Sequence, residues 1–238
     1  MKELISSGLE ALGLTGSVPP DAAEKLAEYG RLLLKKNQVM NLTAIRDEAG
    51  VARLHMLDCA ALLPCADLTG ARTLLDVGTG AGFPGLPLKI LLPQLDVTLL
   101  DSLNKRVDWL NEVSAQLGLT GVRAIQGRAE EKALEKSMRD SFDLVTARAV
   151  ADLRLLSELC LPFVKVGGQM LAMKSAQSAE ETNDAARAVS ILGGRLLPAY
   201  DYTIPGTSIT HRVVRVEKTA PTPSRYPRRF AQIKKKPL

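Results

Sequence analysis

The chain reads as an α/β protein built on a doubly wound, mostly parallel sheet, with helices ahead of the sheet and an antiparallel hairpin closing it. Three observations predict this. From Arg72 onward, short apolar runs alternate with amphipathic segments at the spacing of right-handed βαβ units. The first of those runs opens into a glycine-rich stretch, Asp76-Val77-Gly78-Thr79-Gly80-Ala81-Gly82. Near the end, two further runs flank a Pro205-Gly206 turn, and strands joined by a short turn must be antiparallel.

Taken in order, residues 1–69 read as a helical extension without strands. Asp21 is placed to cap a helix in which Ala22, Ala23, Leu26, Tyr29, Leu32, Leu33 and Leu34 recur at helical spacing. The polar stretch Asn37 to Thr43 reads as a loop, and a second helix is expected from Glu48 to about Leu63, stopped by Pro64. Residues 70–220 form the sheet domain. Its strands are expected at Thr73–Val77, Asp96–Asp101, Val122–Gln126, Phe142–Ala147 and Gln169–Met173, with helices after the glycine loop and over Asn104–Leu117 and Asp152–Val164. A polar helix over Ala179–Leu192 stops at Gly193-Gly194, and the hairpin pairs Arg195–Thr203 with His211–Glu217. Residues 221–238 are a basic C-terminal tail.

Composition narrows the function classes. The formal net charge of +5 is unevenly placed: the tail holds six basic residues and no acid, which leaves 25 basic against 26 acidic groups in the body. Charge of that kind fits a nucleic-acid contact confined to one end. No apolar run reaches the length of about 18 that crosses a membrane, and the first residues lack the apolar core of a signal peptide, so a cytoplasmic location is expected. Cys59, Cys65 and Cys160 are odd in number and without C-x-x-C spacing; with His55 and His211 as the only histidines, no metal is expected.

The glycine loop carries the ligand argument. Gly80-Ala81-Gly82-Phe83-Pro84-Gly85 formally matches a dinucleotide fingerprint. Asp76, however, would set a carboxylate against a pyrophosphate, whereas a cationic amine is welcome there. The stretch resembles the loop of S-adenosylmethionine (SAM) methyltransferases, and the terminal hairpin resembles the end of their class I, Rossmann-like fold. Asp101, about twenty residues past Gly78, is placed to accept ribose hydroxyls. The resemblance assigns Asp76, Gly78, Gly80, Gly82, Phe83, Asp101, Ser102, Leu103, Ala129, Glu130 and Arg148 to the cofactor, Ala129 and Glu130 at the adenine edge. Arg148, at the end of the fourth strand, is also the candidate catalytic residue, because its fixed fork suits phosphate or the O6/N7 edge of guanine. Neither the Asp/Asn-Pro-Pro-Tyr/Phe motif of amine methylases nor a Pro-Cys nucleophile stands at that position.

Several stretches then fall into one pattern: Asn41-Leu42-Thr43-Ala44-Ile45, His55-Met56-Leu57-Asp58, Asp76 to Leu88, Asp101-Ser102, Gly127-Arg128-Ala129-Glu130, Thr146-Ala147-Arg148-Ala149 and Tyr226-Pro227-Arg228-Arg229. Together they resemble the small-subunit ribosomal RNA methyltransferase G family, also called glucose-inhibited division protein B, over nearly the whole chain. Cys59, Phe83 and Ser175 depart from it, standing where the family often has serine, leucine and glycine. The resemblance implies methyl transfer from SAM to N7 of a guanine in 16S rRNA, presented alone or in the 30S subunit; a monomer is expected. Lys174, Arg225, Arg228, Arg229, Lys234 and Lys235 are the expected RNA contacts, with Tyr226 and Phe230 available for stacking. The competing readings are a small-molecule methyltransferase, which has no need of a basic tail, and an NAD-dependent oxidoreductase, disfavoured by the lack of a Tyr-x-x-x-Lys proton donor.

Overall fold

A computed structural model describes residues 1–66, 68, 70–148 and 151–238. The boundary expected between residues 69 and 70, and Ala149 of the fourth-strand motif, touch or lie outside the described residues. The helical extension consists of α1 (Lys2–Ala11), α2 (Ala22–Met40) and a continuous run made of α3 (Glu48–Val51), a π turn (Ala52–Leu57) and α4 (Asp58–Ala60). The sheet domain follows as β1 (Thr73–Val77), α5 (Gly85–Leu91), β2 (Asp96–Asp101), α6 (Asn104–Gln116), β3 (Val122–Gln126), α7 (Ala129–Lys132), β4 (Phe142–Arg148) and α8 (Leu153–Cys160). It ends with β5 (Val164–Ser175), α9 (Ala179–Asp184), α10 (Ala186–Ile191), β6 (Gly194–Leu196), β7 (Tyr200–Thr203), β8 (Thr210–Lys218) and α11 (Phe230–Lys235).

The strand order is β3-β2-β1-β4-β5-β8-β6, with β7 also on β8. The first five strands are mutually parallel and β8 enters antiparallel, Ser175 opposite His211. Strand order reverses between β1 and β4, and the crevice outside the carboxyl ends at such a point is where ligands of open α/β sheets lie. Because β8 runs against β5, its first residues reach that same edge.

The sheet has a core on each face. Leu74 and Leu99 pack with α1, α2, α5 and α6, while Leu75, Val77 and Leu100 pack with α8, α10 and α11, the alternation a strand's pleat dictates. Gly82 shows how closely the extension is joined to the sheet domain: at φ +106°, a Cβ there would lie 2.6 Å from the Tyr29 hydroxyl.

Several boundaries differ from the sequence reading, each for a physical reason. The helix containing Asn37 continues to Met40, because the Asn37 amide satisfies the following loop: its Oδ1 accepts the Leu42 and Thr43 N–H groups at 2.7 and 2.9 Å. Asp21 sits at the N-cap without capping, its carboxylate paired instead with Lys25 at 2.9 Å. The fifth strand begins at Val164, since Gly167 at φ +87° lets the chain turn through the ladder without leaving it. The expected helix over 152–164 gives way at Leu161 to a 3-10 turn holding Pro162, which has no N–H to continue it. The expected helix 179–192 divides about the buried Ala185, and the strand expected over 195–203 divides around Pro198 into β6 and β7.

Candidate active site

Two clefts open along the carboxyl edge of the sheet. The first, about 180 Å³, is lined by Val77 and Gly78 after β1, Asp101 and Ser102 after β2, and the Gly127–Glu130 turn after β3. The second, about 370 Å³, lies at the ends of β4 and β5 and the start of β8, lined by His55, Asp58, Arg148, Met173, Lys174 and His211.

The residues of the first cleft fit the nucleoside end of SAM. Asp101 is buried, and it ties the two turns together by accepting the Gly80 N–H at Oδ2 (3.0 Å) and the Leu103 N–H at Oδ1 (2.9 Å). Arg106 approaches Oδ2 at 3.3 Å, and each carboxylate oxygen has two lone pairs, so Oδ1 keeps one for a ribose hydroxyl. At Gly80, φ +60°, a Cβ would meet nothing nearer than the Gly78 carbonyl at 4.0 Å: the turn leaves open space where a ligand approaches backbone. Ser102 and Leu103 are exposed, Leu103 unusually so for a leucine at 43%. Glu130 is 9% exposed at the start of α7.

Three of the loop residues assigned to the cofactor face elsewhere. The side chain of Asp76 is fully buried, its carboxylate taken up by Thr79 Oγ1 (2.6 Å), the Gly85 N–H (3.0 Å) and Thr146 Oγ1 (3.0 Å). Burial pushes its pKa up to about 6 against those hydrogen bonds. Gly82 packs under Tyr29, whose hydroxyl donates to the Ala81 carbonyl. Phe83 stacks on His55 with centroids 4.5 Å apart and lies 4.8 Å beneath the Arg148 guanidinium. The loop therefore serves both sides: Gly78 lines the cleft and Gly80 leaves open space beside its backbone, Asp76 ties the loop to α5 and β4, and Gly82 and Phe83 hold the helical extension.

Arg148 is the centre of the second cleft. Its Nη1 donates to the Leu54 carbonyl and to Asp58 Oδ2, both at 3.2 Å, and its Nη2 donates to His55 Nδ1 at 3.1 Å. An accepting Nδ1 puts the ring proton on Nε2, which donates to Thr43 Oγ1 at 2.8 Å. Burial, reinforced by the Arg148 charge, lowers the His55 pKa to about 4, so the ring is neutral at pH 7. Asp58, 1% exposed, accepts at Oδ1 from the Tyr202 hydroxyl (2.6 Å) and from His211 Nδ1 (2.7 Å). Burial alone would raise its carboxyl, but the bonds from His211 and Tyr202 and the Arg148 charge outweigh it and hold the pKa below the usual carboxylate value. The hydrogen bond to Asp58 correspondingly raises His211. Arg148 thus keeps Nε–H and one Nη2–H free of partners among the described residues.

Asp58, Tyr202 and His211 were not expected in a site. His55 and Asp58 sit on and beside the π turn, a wider turn that recurs at functional sites because it re-aims side chains. Their only advance signal was the His55 to Asp58 motif; nothing local singled out Tyr202 or His211.

The expected RNA contacts divide as well. Lys174 turns inward, its ammonium on the Ala151 carbonyl and on Glu181 Oε1 at 2.6 Å. Arg228 is committed to Glu158, a carboxylate with no exposed surface, through Nε–Oε1 at 2.9 Å and Nη2–Oε2 at 2.6 Å. Tyr226 is buried between Arg225 and Arg228, and Phe230 lines the first cleft, so neither ring is presented for stacking on RNA. The segment expected as a basic tail is docked on the body, with Ile233 fully buried and Arg139 bonded to the Tyr226 and Thr222 carbonyls. Arg225, Arg229, Lys234, Lys235 and Lys236 remain exposed. Among the described residues no cluster of three or more His, Cys, Asp or Glu is arranged to hold a metal, and no helix is long and apolar enough to cross a membrane.

Comparison with known proteins agrees with the fold. Among solved structures, the chain is similar to the YcgJ protein of Bacillus subtilis (TM-score 0.53, 15% identity, 70% of this chain and all of that one). It is also similar to the mitomycin 7-O-methyltransferase MmcR (TM-score 0.54, 15% identity, 80% and 60%), a likeness at the level of fold. The fold is that of class I SAM-dependent methyltransferases. In sequence it is 44% identical to the ribosomal RNA small subunit methyltransferase G of Alkaliphilus metalliredigens over 100% of this chain and 98% of that protein. The protein of the same name from Exiguobacterium sibiricum is 45% identical over 90% of each. The family model of rRNA small subunit methyltransferase G matches residues 22–202, and with full-length relatives above 40% identity the chain belongs to that family.

Proposed function

We propose that this protein transfers a methyl group from SAM to N7 of a guanine in 16S rRNA, acting in the cytoplasm on the free RNA or the 30S subunit, as a monomer and without a metal. The methyl donor, when bound, supplies a carbon activated by its sulfonium. Gly78 and Gly80 give it backbone to approach, Asp101 takes the ribose hydroxyls, and Ala129 and Glu130 meet the adenine edge.

The observation that carries this reading is the donor character of the second cleft. The carboxylate lining it, Asp58, already accepts from Tyr202, His211 and Arg148 and is held ionised by them, which makes it a poor proton acceptor. His55 is neutral, with its accepting nitrogen occupied by Arg148. With both of these side chains occupied, the groups bonded to Arg148 offer no free base, which suits a nucleophile that loses no proton. Guanine N7 is one: it attacks with a free lone pair, so the barrier falls by positioning and electrostatics alone. The unused N–H groups of Arg148 suit O6 beside it, a contact that fixes the base while leaving N7 uncovered. Exposed Arg225, Arg229, Lys234, Lys235 and Lys236 supply phosphate contacts that the near-neutral body lacks.

The test is methyl incorporation from labelled SAM into 30S subunits and into naked 16S RNA, comparing the intact protein with Arg148→Ala. Label recovered as 7-methylguanine and lost in the variant is the expected result. SAM binding with no label in either RNA would instead point to a small-molecule acceptor.

A further inference from the structure

The C-terminal segment is built into the body to a degree that RNA contact does not explain. The Glu158 carboxylate has no exposed surface, yet it accepts both the Arg228 backbone N–H (2.8 Å) and the Arg228 fork. A buried charge is tolerated when paired and fully hydrogen-bonded, so α8 is built to hold this one arginine. Arg228 Nη1 also donates to the Lys236 carbonyl at 3.1 Å, bracketing α11 from behind. The result is a fixed position for Phe230, the first residue of α11, which with Leu159, the residue after Glu158, lines the first cleft together with Asp101 and Ser102.

We propose that Phe230 is a cofactor-binding residue: the Arg228–Glu158 pair holds its ring as the outer wall of the adenine pocket, so that the C-terminal segment completes the cofactor site. Phe230 brings the aromatic ring to the lining of this cleft, and base–aromatic stacking supplies affinity for a purine face without demanding hydrogen bonds. This rests on the adenosine placement proposed above. It assigns Arg228 a positioning role and leaves the exposed lysines of α11 free of any cofactor role.

The experiment titrates S-adenosylhomocysteine and adenosine into the full-length protein and its variants by calorimetry, alongside hydrogen exchange of the unaltered protein with and without S-adenosylhomocysteine. Phe230→Ala is expected to weaken both ligands about tenfold, Phe230→Trp to retain them, and Lys234→Ala with Lys235→Ala to leave them unchanged. Arg228→Lys, which keeps the charge but not the fork, is expected to give a partial loss. The exchange measurement does not depend on any variant folding: ligand is expected to protect residues 226–233 together with 101–103 and 127–130. Protection of the β2 and β3 turns without 226–233, or full affinity in Phe230→Ala, would overturn the wall while leaving the adenosine placement standing. Protection of neither region would overturn the placement itself.

Discussion

Arg148 shows how a residue's role is set by what already holds it. A guanidinium with Nη1 on Leu54 and Asp58 and Nη2 on His55 cannot swing, and the groups it has left point from a fixed frame. Arg148→Lys keeps the charge and loses both the fork and the packing over Phe83, so kcat is expected to fall about 10²-fold with KM for SAM changed little. A matched rise in KM for SAM would move Arg148 to the cofactor side of the site. His55 gives a pH signature. Its folded-state pKa of about 4 lies below the ordinary 6.5, so the unfolded chain binds the extra proton between those values. Stability from the neutral ring is therefore present above pH 6.5 and is lost, by about 3 kcal/mol, as pH falls through 4. In urea titrations at pH 7 and pH 4.5, His55→Gln is expected to be less stable than the parent at pH 7, with the gap narrowing in acid. A gap independent of pH would mean the ring is not buried neutral.

At the scale of elements, the glycine loop and the π turn depend on each other. Gly82 touches Tyr29 of α2, Phe83 stacks on His55 of the π turn, and Tyr29 and Phe83 lie 5.2 Å apart. The helical extension is thus held by the loop that also faces the cofactor cleft. Gly82→Ala would add a Cβ at φ +106° within 2.6 Å of the Tyr29 hydroxyl and 2.7 Å of Leu86, and is expected to cost about 2–4 kcal/mol in chemical denaturation. Gly80→Ala, where the space is open, should cost stability only through its positive φ while weakening SAM; equal destabilisation by the two would contradict this division. Asn37, inside α2 yet bonded to the loop beyond it, shows why that helix runs past its expected end: a polar residue reads as a loop until its partners are known.

Across the whole molecule, charge is segregated along the chain. The body is almost neutral, and the exposed cations of residues 225–236 form its distinct basic feature. Replacing Arg225, Arg229, Lys234, Lys235 and Lys236 by serine is expected to flatten the slope of log affinity for 16S RNA against log salt by about 0.7 to 0.9 for each phosphate no longer neutralised, with S-adenosylhomocysteine affinity intact. A slope that does not move would put the RNA surface elsewhere. Arg228→Ala belongs to a different class. It leaves Glu158 buried without its partner, which is expected to cost about 3 kcal/mol and to appear as a lowered Tm.

What the sequence determined by itself was local. The bounds of β1, β2 and β3 follow from short apolar runs ended by acids, glycines or turns, and the glycine turn tied to Asp101 was legible because Gly78, Gly80 and Asp101 sit where backbone geometry needs them. The hairpin was legible too, from its turn. The tertiary structure alone decided the second cleft: His211 meets Asp58 from 153 positions away and Arg148 meets His55 from 93, pairings that no local pattern encodes. It also decided that Arg228 and Phe230 belong to the body. A run of basic residues with aromatics reads as a solvated arm until a buried carboxylate, Glu158, is found waiting for one of them, and burial of a charge is a property of the fold rather than of the segment.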